Sequence, residues 1–377
     1  MLFPNLANAE ASNQSWSDVQ FLENGFQVTP TVMTPTNQSG ATYIYMAFAA
    51  DPTAVEPTLE DSFNTVLYSG NSSSSHSITG VGFQPDLTWI KNRSANAAQW
   101  ITDSVRGAGK GLQGQSTDAE LTSLPELMSS FNSDGFTVGY ISNPTTNLSG
   151  NNYVAWNWKG AEIPAINSNG SIPSVVSANP AAGFSIVSYK GNGANATIGH
   201  GLNNAPDVLI VKRRNASGSW NVYHSATGNN STLILQSTTA EIIGAGTWGT
   251  TTPTTSVFTA GTSINDTNNY IAYCFAEVAG FSKFGSYTGT GVDGNFIATG
   301  FEPAFVMVKR TNAADNWVIV DNKRGTSNSL FPDLSSQELS NFGAATFSST
   351  GFTVNGASGG WNNSSSTYIY MAFANQF

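Results

Sequence analysis

The 377-residue sequence predicts an all-β chain built from tandem antiparallel β-sandwich modules, and three observations carry that prediction. An octapeptide, TYIYMAFA, stands at Thr42–Ala49 and again at Thr367–Ala374, with cousins NYVAWNW at Asn152–Trp158 and NYIAYCF at Asn269–Phe275. Self-similarity of this kind marks repeated structural units. The intervening segments are short, rich in Val, Ile, Tyr, Phe and Thr, and divided by Gly, Asn, Ser and Pro, a pattern of strands and turns. Charged residues make up only 10% of the chain. Polarity comes instead from Asn, Ser, Thr and Gly, which favour turns and strand surfaces over helices.

Other landmarks recur in one order. A Tyr-Gly opening appears as LYSGNSS (Leu67–Ser73), SYKGNGA (Ser188–Ala194) and SYTGTGV (Ser286–Val292). A strand with Pro ahead and Lys behind follows: PDLTWIK (Pro85–Lys91), PDVLIVK (Pro206–Lys212) and PAFVMVK (Pro303–Lys309). A tryptophan comes next, as Trp100, Trp220 and Trp317, then DSVRG (Asp103–Gly107), the degenerate HSATG (His224–Gly228) and DNKRG (Asp321–Gly325). A glutamate in DAEL, TAEI or SQEL and a Gly-Phe-Thr strand precede the closing strand. Three full copies result, at residues 62–162, 183–279 and 281–377, with residues 163–182 as a Pro/Ser/Asn/Ala-rich linker. About 95 residues with six or more strands suit one antiparallel sandwich. Only Thr117–Phe131 admits a short helix.

Alternation along the closing strand separates two faces. One carries large side chains throughout: Ile44, Met46 and Phe48; Val154, Trp156 and Trp158; Ile271, Tyr273 and Phe275; Ile369, Met371 and Phe373. This is the expected core face. The other face, with Tyr43, Tyr45, Ala47, Asn157 and Cys274, is smaller and is expected to meet a neighbouring layer or solvent.

The formal charge of −10 argues against nucleic-acid binding, which needs clustered Lys and Arg. A single cysteine, Cys274, permits no intrachain disulfide and no cysteine zinc site, and His76, His200 and His224 are far apart in sequence. No metal or other cofactor is therefore expected. No apolar run reaches the ~18 residues of a membrane helix. The N-terminal MLFPNLANAEA lacks the basic and apolar regions of a signal peptide, so neither insertion nor a leader is expected.

Several motifs match catalytic or binding patterns by chance. GTGVDG (Gly289–Gly294) fits a dinucleotide fingerprint but runs into a strand rather than a helix. GASGG (Gly356–Gly360) fits a nucleophile elbow but lacks the strand-turn-helix setting. Sequons at Asn71, Asn195 and Asn362 follow from composition. A quartet carries more weight: Lys91, Asp103, Arg106 and Glu120 recur with equal spacing as Lys309, Asp321, Arg324 and Glu338. The copy between keeps Lys212 and Glu241 but has His224 and Thr227 at the Asp and Arg places. Paired carboxylates could be a glycosidase pair. Repetition favours instead a part-buried ion network inside each copy, pinning its strands, and no enzyme activity is expected. Trp248 and Trp361 lie in loop-like stretches and are candidate surface aromatics for ligand contact.

The set GFQPDLTWIKNRS, WITDSVRG, SDGFTVG and YVAWNW resembles an uncharacterised repeat of tail-fibre-like and other virion surface proteins of bacteriophages, mainly marine ones. The resemblance covers nearly the whole chain and implies a concanavalin-like or jelly-roll-like sandwich. It implies a place on the virion surface, outside the cell, in host attachment through glycans or as capsid decoration, with other virion proteins as partners. It carries over no catalytic residues. Tandem modules suit attachment because several weak sites multiply avidity.

Residues 1–50 read as the back half of a further copy: LFPNLANAEA (Leu2–Ala11) aligns with LFPDLSSQEL (Leu330–Leu339), and ENGFQV (Glu23–Val28) with STGFTV (Ser349–Val354). Half a sandwich is not stable alone. The expectation is that an upstream half has been lost or that another chain completes this copy by strand exchange in a homo-oligomer such as a trimer.

Overall fold

The computed structural model describes residues 18–22, 25–29, 62–124, 126–140, 146–161, 163–340, 342, 345–356 and 360–374. The chain divides into two units, residues 1–55 and 56–377. In the first, Asp18–Leu22 pairs with Gly25–Thr29 in an antiparallel hairpin. Ile44, Met46, Phe48 and Glu10 lie outside the described residues. The second unit is all-β, with one single-turn 3-10 helix at Thr262–Ile264. The stretch 117–131 forms no helix among its described residues; Leu121 makes an isolated bridge to Gly111, and Ser130–Asn132 is a strand.

The strands of residues 56–377 fall into three sets with one topology. In the first module the large sheet runs Phe63–Ser69, Asn152–Trp158, Leu87–Asn92, Trp100–Asp103, Leu112–Gln113. The second repeats this order as Phe184–Lys190, Asn269–Phe275, Val208–Arg213, Trp220–His224, Ser231–Ile234, and the third as Ser282–Thr288, Thr367–Ala374, Pro303–Arg310, Trp317–Asp321. Each closing strand is therefore central in its sheet, paired on both sides. A small sheet covers one face of each: His76–Thr79 with Ser130–Asn132 and Gly135–Val138; Ala196–Gly199 with Val257–Ala260; Asn295–Ala298 with Ala345–Ser348 and Gly351–Val354. The stretch 163–182, expected to be a linker, carries strands instead. Ser174–Asn179 pairs with Phe184–Lys190, and Ala165–Asn167 pairs outside it, extending the second module's sheet.

The larger face of the closing strand is core, as expected, and the smaller face meets a neighbouring layer, the small sheet. The smaller face, with Tyr153 and Ala155, or Tyr270, Ala272 and Cys274, lies against the small sheet and forms a separate core in the first and second modules; in the third, Tyr368, Tyr370 and Ala372 are continuous with the shared core. On this smaller face, Tyr68–Tyr153, Tyr189–Tyr270 and Tyr287–Tyr368 stack with ring centroids 5.0, 5.2 and 5.0 Å apart. The larger face turns away from its own small sheet into a core shared by all three modules. Trp156 and Trp158, Tyr273 and Phe275, and Met371 and Phe373 belong to that one cluster. Trp158 packs its ring against Phe63, Phe184, Phe275, Phe305 and Phe373. A residual apolar cavity of about 20 Å³ lies there, lined by side chains of all three modules, among them Leu87, Ile210 and Met307.

Candidate functional site: the three intermodule junctions

Wherever the modules meet, one set of backbone contacts repeats. The glutamate of the DAEL-type motif donates its N–H to the carbonyl two residues beyond the Lys of the next module: Glu120 to Arg214 (2.7 Å), Glu241 to Thr311 (2.9 Å) and Glu338 to Arg93 (3.0 Å). Each strand-ending lysine donates Nζ to a carbonyl of the preceding segment: Lys212 to Thr117 (3.0 Å), Lys309 to Thr238 (3.1 Å) and Lys91 to Leu334 (2.7 Å). The first module thus seats on the second, the second on the third and the third on the first. The three close into a ring with approximate threefold repetition.

The motif tryptophan adds a third link. Trp220 Nε1 donates to Gln113 O (2.9 Å) and Trp317 Nε1 to Ile234 O (3.0 Å). In the first module the residue opposite Lys91 is Gln99, because Ile90 pairs with Trp100. Gln99 donates Nε2 to Pro332 O and so takes the role that Trp220 and Trp317 play elsewhere. Trp100, grouped with them by spacing, is one residue out of register and faces the other way.

Two junctions are completed by charge. Between the first and second modules, Asp103 Oδ1 accepts the Arg106 N–H (2.8 Å), and Oδ2 accepts Arg106 Nε and the Tyr273 hydroxyl (2.8 Å). Arg106 Nη1 reaches Glu120 (3.0 Å), which Arg214 clamps with Nε and Nη2, both at 3.0 Å. Gly107, at φ +90°, ends the turn in a conformation L side chains rarely adopt. Between the third and first modules, Asp321 accepts Arg324 Nε (2.6 Å) and Trp156 Nε1 (3.0 Å). Arg324 Nη1 reaches Glu338 (3.0 Å), and Arg93 grips Glu338 with two contacts of 2.9 Å. The Arg324 guanidinium lies 5.6 Å from the Trp156 ring centroid. Asp103, Arg106, Asp321 and Arg324 are buried. Burial alone would raise the Glu120 and Glu338 carboxyls, but the Arg214 and Arg106 contacts, and those of Arg93 and Arg324, hold both below the usual range.

The expected quartet within one copy is therefore corrected in two ways. Asp, Arg and Glu of a copy do meet, but Lys91 and Lys309 bond carbonyls of the neighbouring module rather than that cluster. The clusters bridge modules, with Tyr273, Arg214, Trp156 and Arg93 as partners that spacing within one copy does not indicate. Trp248 and Trp361 are also corrected. Both are buried, at 1% and 0% exposure, because their loops fold under the small sheets. Asn362, a sequon by sequence, is fully buried too. It accepts Thr290 N–H and donates to Val292 O and Gly356 O, and Asn147 holds the equivalent loop of the first module.

The junction between the second and third modules lacks the charge. His224 and Thr227 replace the Asp and Arg, Thr311 replaces the clamping Arg, and Met371 stands where Trp156 and Tyr273 donate. His224, fully buried, accepts the Ala226 N–H at Nδ1 and lies 3.2 Å from Tyr370 O; burial lowers its pKa to about 4. An aspartate here would face no donor from Met371, so the losses belong together. This junction also has the shortest covalent tether: Ser282 N–H returns to Val278 O (2.9 Å) and Lys283 pairs with Glu277 (2.6 Å). A short tether supplies a high effective concentration, which makes the cluster dispensable. His224→Asp alone is expected to cost about 2–4 kcal/mol by burying an unpaired carboxylate. Adding Thr227→Arg, Thr311→Arg and Met371→Tyr is expected to recover at least half of that in denaturant unfolding. No recovery would refute the interdependence.

Buried lysines set the pH response. Burial lowers Lys91 to about 7, against Asp333, and Lys212 and Lys309 to about 8, against Asp118 and against Asp333 with Asp315. Unfolded lysine titrates near 10.4. Between pH 7 and 10 the unfolded chain therefore binds more protons than the folded one, and stability rises with pH. Calorimetry is expected to show the unfolding temperature rising from pH 7 to 9.5, equivalent to at least about 1 kcal/mol. A flat or falling profile would contradict the burial of these ammonium groups.

Among the described residues, no group of three or more His, Cys, Asp or Glu side chains is placed to hold a metal ion, and no helix is long and apolar enough to cross a membrane. No curated protein sequence matches the chain. Among solved structures, the chain is similar to the protein of "The Triple Jelly Roll Fold and Turret Assembly in an Archaeal Virus", at 11% identity over 96% of this chain and 89% of that one. The TM-score of 0.11 is too low for that likeness to bear on fold or function. Residues 58–376, essentially the whole three-module ring, match one family profile, and the chain belongs to that family, a domain of unknown function (DUF7483).

Proposed function

We propose that the chain is a structural protein of the virus-particle surface, a bacteriophage tail fibre or appendage whose fused modules serve attachment to host-cell glycans. The observation that carries this reading is where the charge lies. Asp103, Arg106, Asp321 and Arg324 are buried between modules and hold them in fixed register. The resemblance of the repeats to virion surface proteins supports it. A glycosidase needs one carboxylic acid with a raised pKa facing its substrate. Glu120 and Glu338 are held low and point at arginines, which supports a non-catalytic role.

An open cleft of about 360 Å³ on the second module is the place for a glycan. Ile166, Pro173, Val175, Ser188, Lys190 and Asn269 line it, pairing exposed apolar surface with amide, hydroxyl and ammonium donors. The full chain is expected to bind host surface polysaccharide on a glycan array, and Ile166→Ser with Lys190→Glu to weaken it at least tenfold. A chain that labels the virion surface in immunogold microscopy but binds no host glycan would favour the second reading, capsid decoration or a spacer. The apolar three-module core is consistent with that role. Absence from the particle would refute both.

A further inference from the structure

The second module carries two strands that the other two large sheets lack among the described residues, Ala165–Asn167 and Ser174–Asn179. They extend its sheet beyond Phe184–Lys190. The register places Ile166 opposite Val175, Val175 opposite Ser188, and Lys190 opposite Asn269 one row on. These side chains share one face of the sheet, the face that Phe184 and Ile186 present to the shared core. Beyond Ile186 that face leaves the core and becomes the floor of the open cleft of about 360 Å³, with Pro173 beside it. Its apolar part is open to solvent: Ile166 is 78% exposed and Val175 40%.

The polar groups of the cleft are free to bind. Lys190 is exposed and has no hydrogen-bond or ion-pair partner among the described residues, and the Asn269 side-chain amide makes no hydrogen bond among them. Ser188 Oγ accepts from Arg214 Nη1 (3.2 Å), which leaves its own proton to donate. No carboxylate lines the cleft. Asp266, three residues from Asn269, is held by Arg213, and Glu120 across the junction by Arg214 and Arg106. An unpaired ammonium therefore stands among neutral donors, in a chain of formal charge −10. The cation also goes with the added strands. The Tyr-Gly opening reads Tyr189-Lys190-Gly191 here, but Tyr68-Ser69-Gly70 and Tyr287-Thr288-Gly289 in the two modules without them.

We propose that this cleft selects an anionic sugar residue, one bearing a carboxylate or a sulfate ester. The anion sits on Lys190 and the Asn269 amide, and the apolar side of the sugar ring lies on Ile166, Val175 and Pro173. This rests on the glycan-attachment reading above and specifies the class of glycan. A net negative chain repels an anionic glycan at long range, so the preference must come from the charge-assisted contact at Lys190 itself.

Binding of the full chain to an array of paired saccharides tests this. The members of each pair differ only in a carboxylate against its reduced hydroxymethyl form, or in a sulfate ester against the free hydroxyl. The charged members are expected to bind at least tenfold more tightly than their neutral partners, and the type of pair that shows the difference identifies the anion. Lys190→Gln is expected to bring the two members of that pair within about twofold of each other. Ile166→Ser is expected to weaken both alike and leave their ratio unchanged. Both side chains are exposed, so neither substitution disturbs the core. Neutral members that bind as tightly as charged ones, or a charge preference that survives Lys190→Gln, overturn the proposal and leave the glycan reading standing. Failure of every saccharide to bind overturns the glycan reading, and the proposal falls with it.

Discussion

Replacing Arg324 with Met is expected to destabilise residues 56–377 by about 3–5 kcal/mol, because it leaves the buried Asp321 carboxylate without a cationic partner. Asp321 would keep only the Trp156 indole N–H and the backbone N–H of residue 324, and Glu338 only Arg93. The carbonyl of Ile319 would lose one of its two donors and keep the Leu330 N–H. Denaturant unfolding read by tryptophan fluorescence checks this, since Trp156 sits on the cluster. The matched pair Arg324→Met with Asp321→Leu is expected to recover part of the loss, because removing both charges removes their desolvation cost. A loss below about 1 kcal/mol for the single change would show that water reaches this junction and screens it. The same substitution at Arg106 is expected to cost somewhat less. There the first and second modules are also joined through strands 165–167 and 174–179, whereas only noncovalent contacts close the third module onto the first.

Trp158→Ala is expected to cost a further class of energy, about 3–5 kcal/mol of lost packing and residual cavity. Its ring touches aromatic side chains from every module, Phe63 beside it, Phe184 and Phe275 from the second, Phe305 and Phe373 from the third. The loss therefore falls on the coupling between modules rather than on one of them. Calorimetry is expected to show a lower and broader transition, with the calorimetric enthalpy exceeding the van't Hoff value as the modules cease to melt together. Trp248→Ala is the comparison: that ring packs with Tyr223 inside the second module's own sandwich. It is expected to be similarly costly without uncoupling the other two. Identical broadening by both substitutions would show that the shared core does not couple the modules.

Much of the architecture was legible because strands alternate with period two and the repeat writes each strand several times. The position of the closing strand, its two faces and the Asp-x-x-Arg-Gly turn could all be read from spacing. Errors arose where a local pattern has more than one packing solution. Trp100 shares a spacing with Trp220 and Trp317, but one extra residue before it turns it to the opposite face, and Gln99 inherits the role. Trp248 and Trp361 lie in stretches without alternation, which look like exposed loops until a small sheet is folded over them. A residue-type rule pairs Lys91 with the nearest carboxylate, whereas its long stem reaches a carbonyl of another module.

The amino-acid sequence by itself determined the all-β class, the threefold repetition, the topology-bearing strands and the set of scarce charges that matter. Those follow from side-chain periodicity and turn chemistry, which act over a few residues. Only the tertiary structure decided that the larger face of the closing strand is the shared core and the smaller face, in the first two modules, the module's own. It also decided that the Asp, Arg and Glu of one copy find their remaining partners, Tyr273 with Arg214 and Trp156 with Arg93, in the next. The physical reason is that alternation says which side chains share a face but not what covers that face. When three modules close on one another, burial and pairing are settled by contacts between residues more than a hundred positions apart.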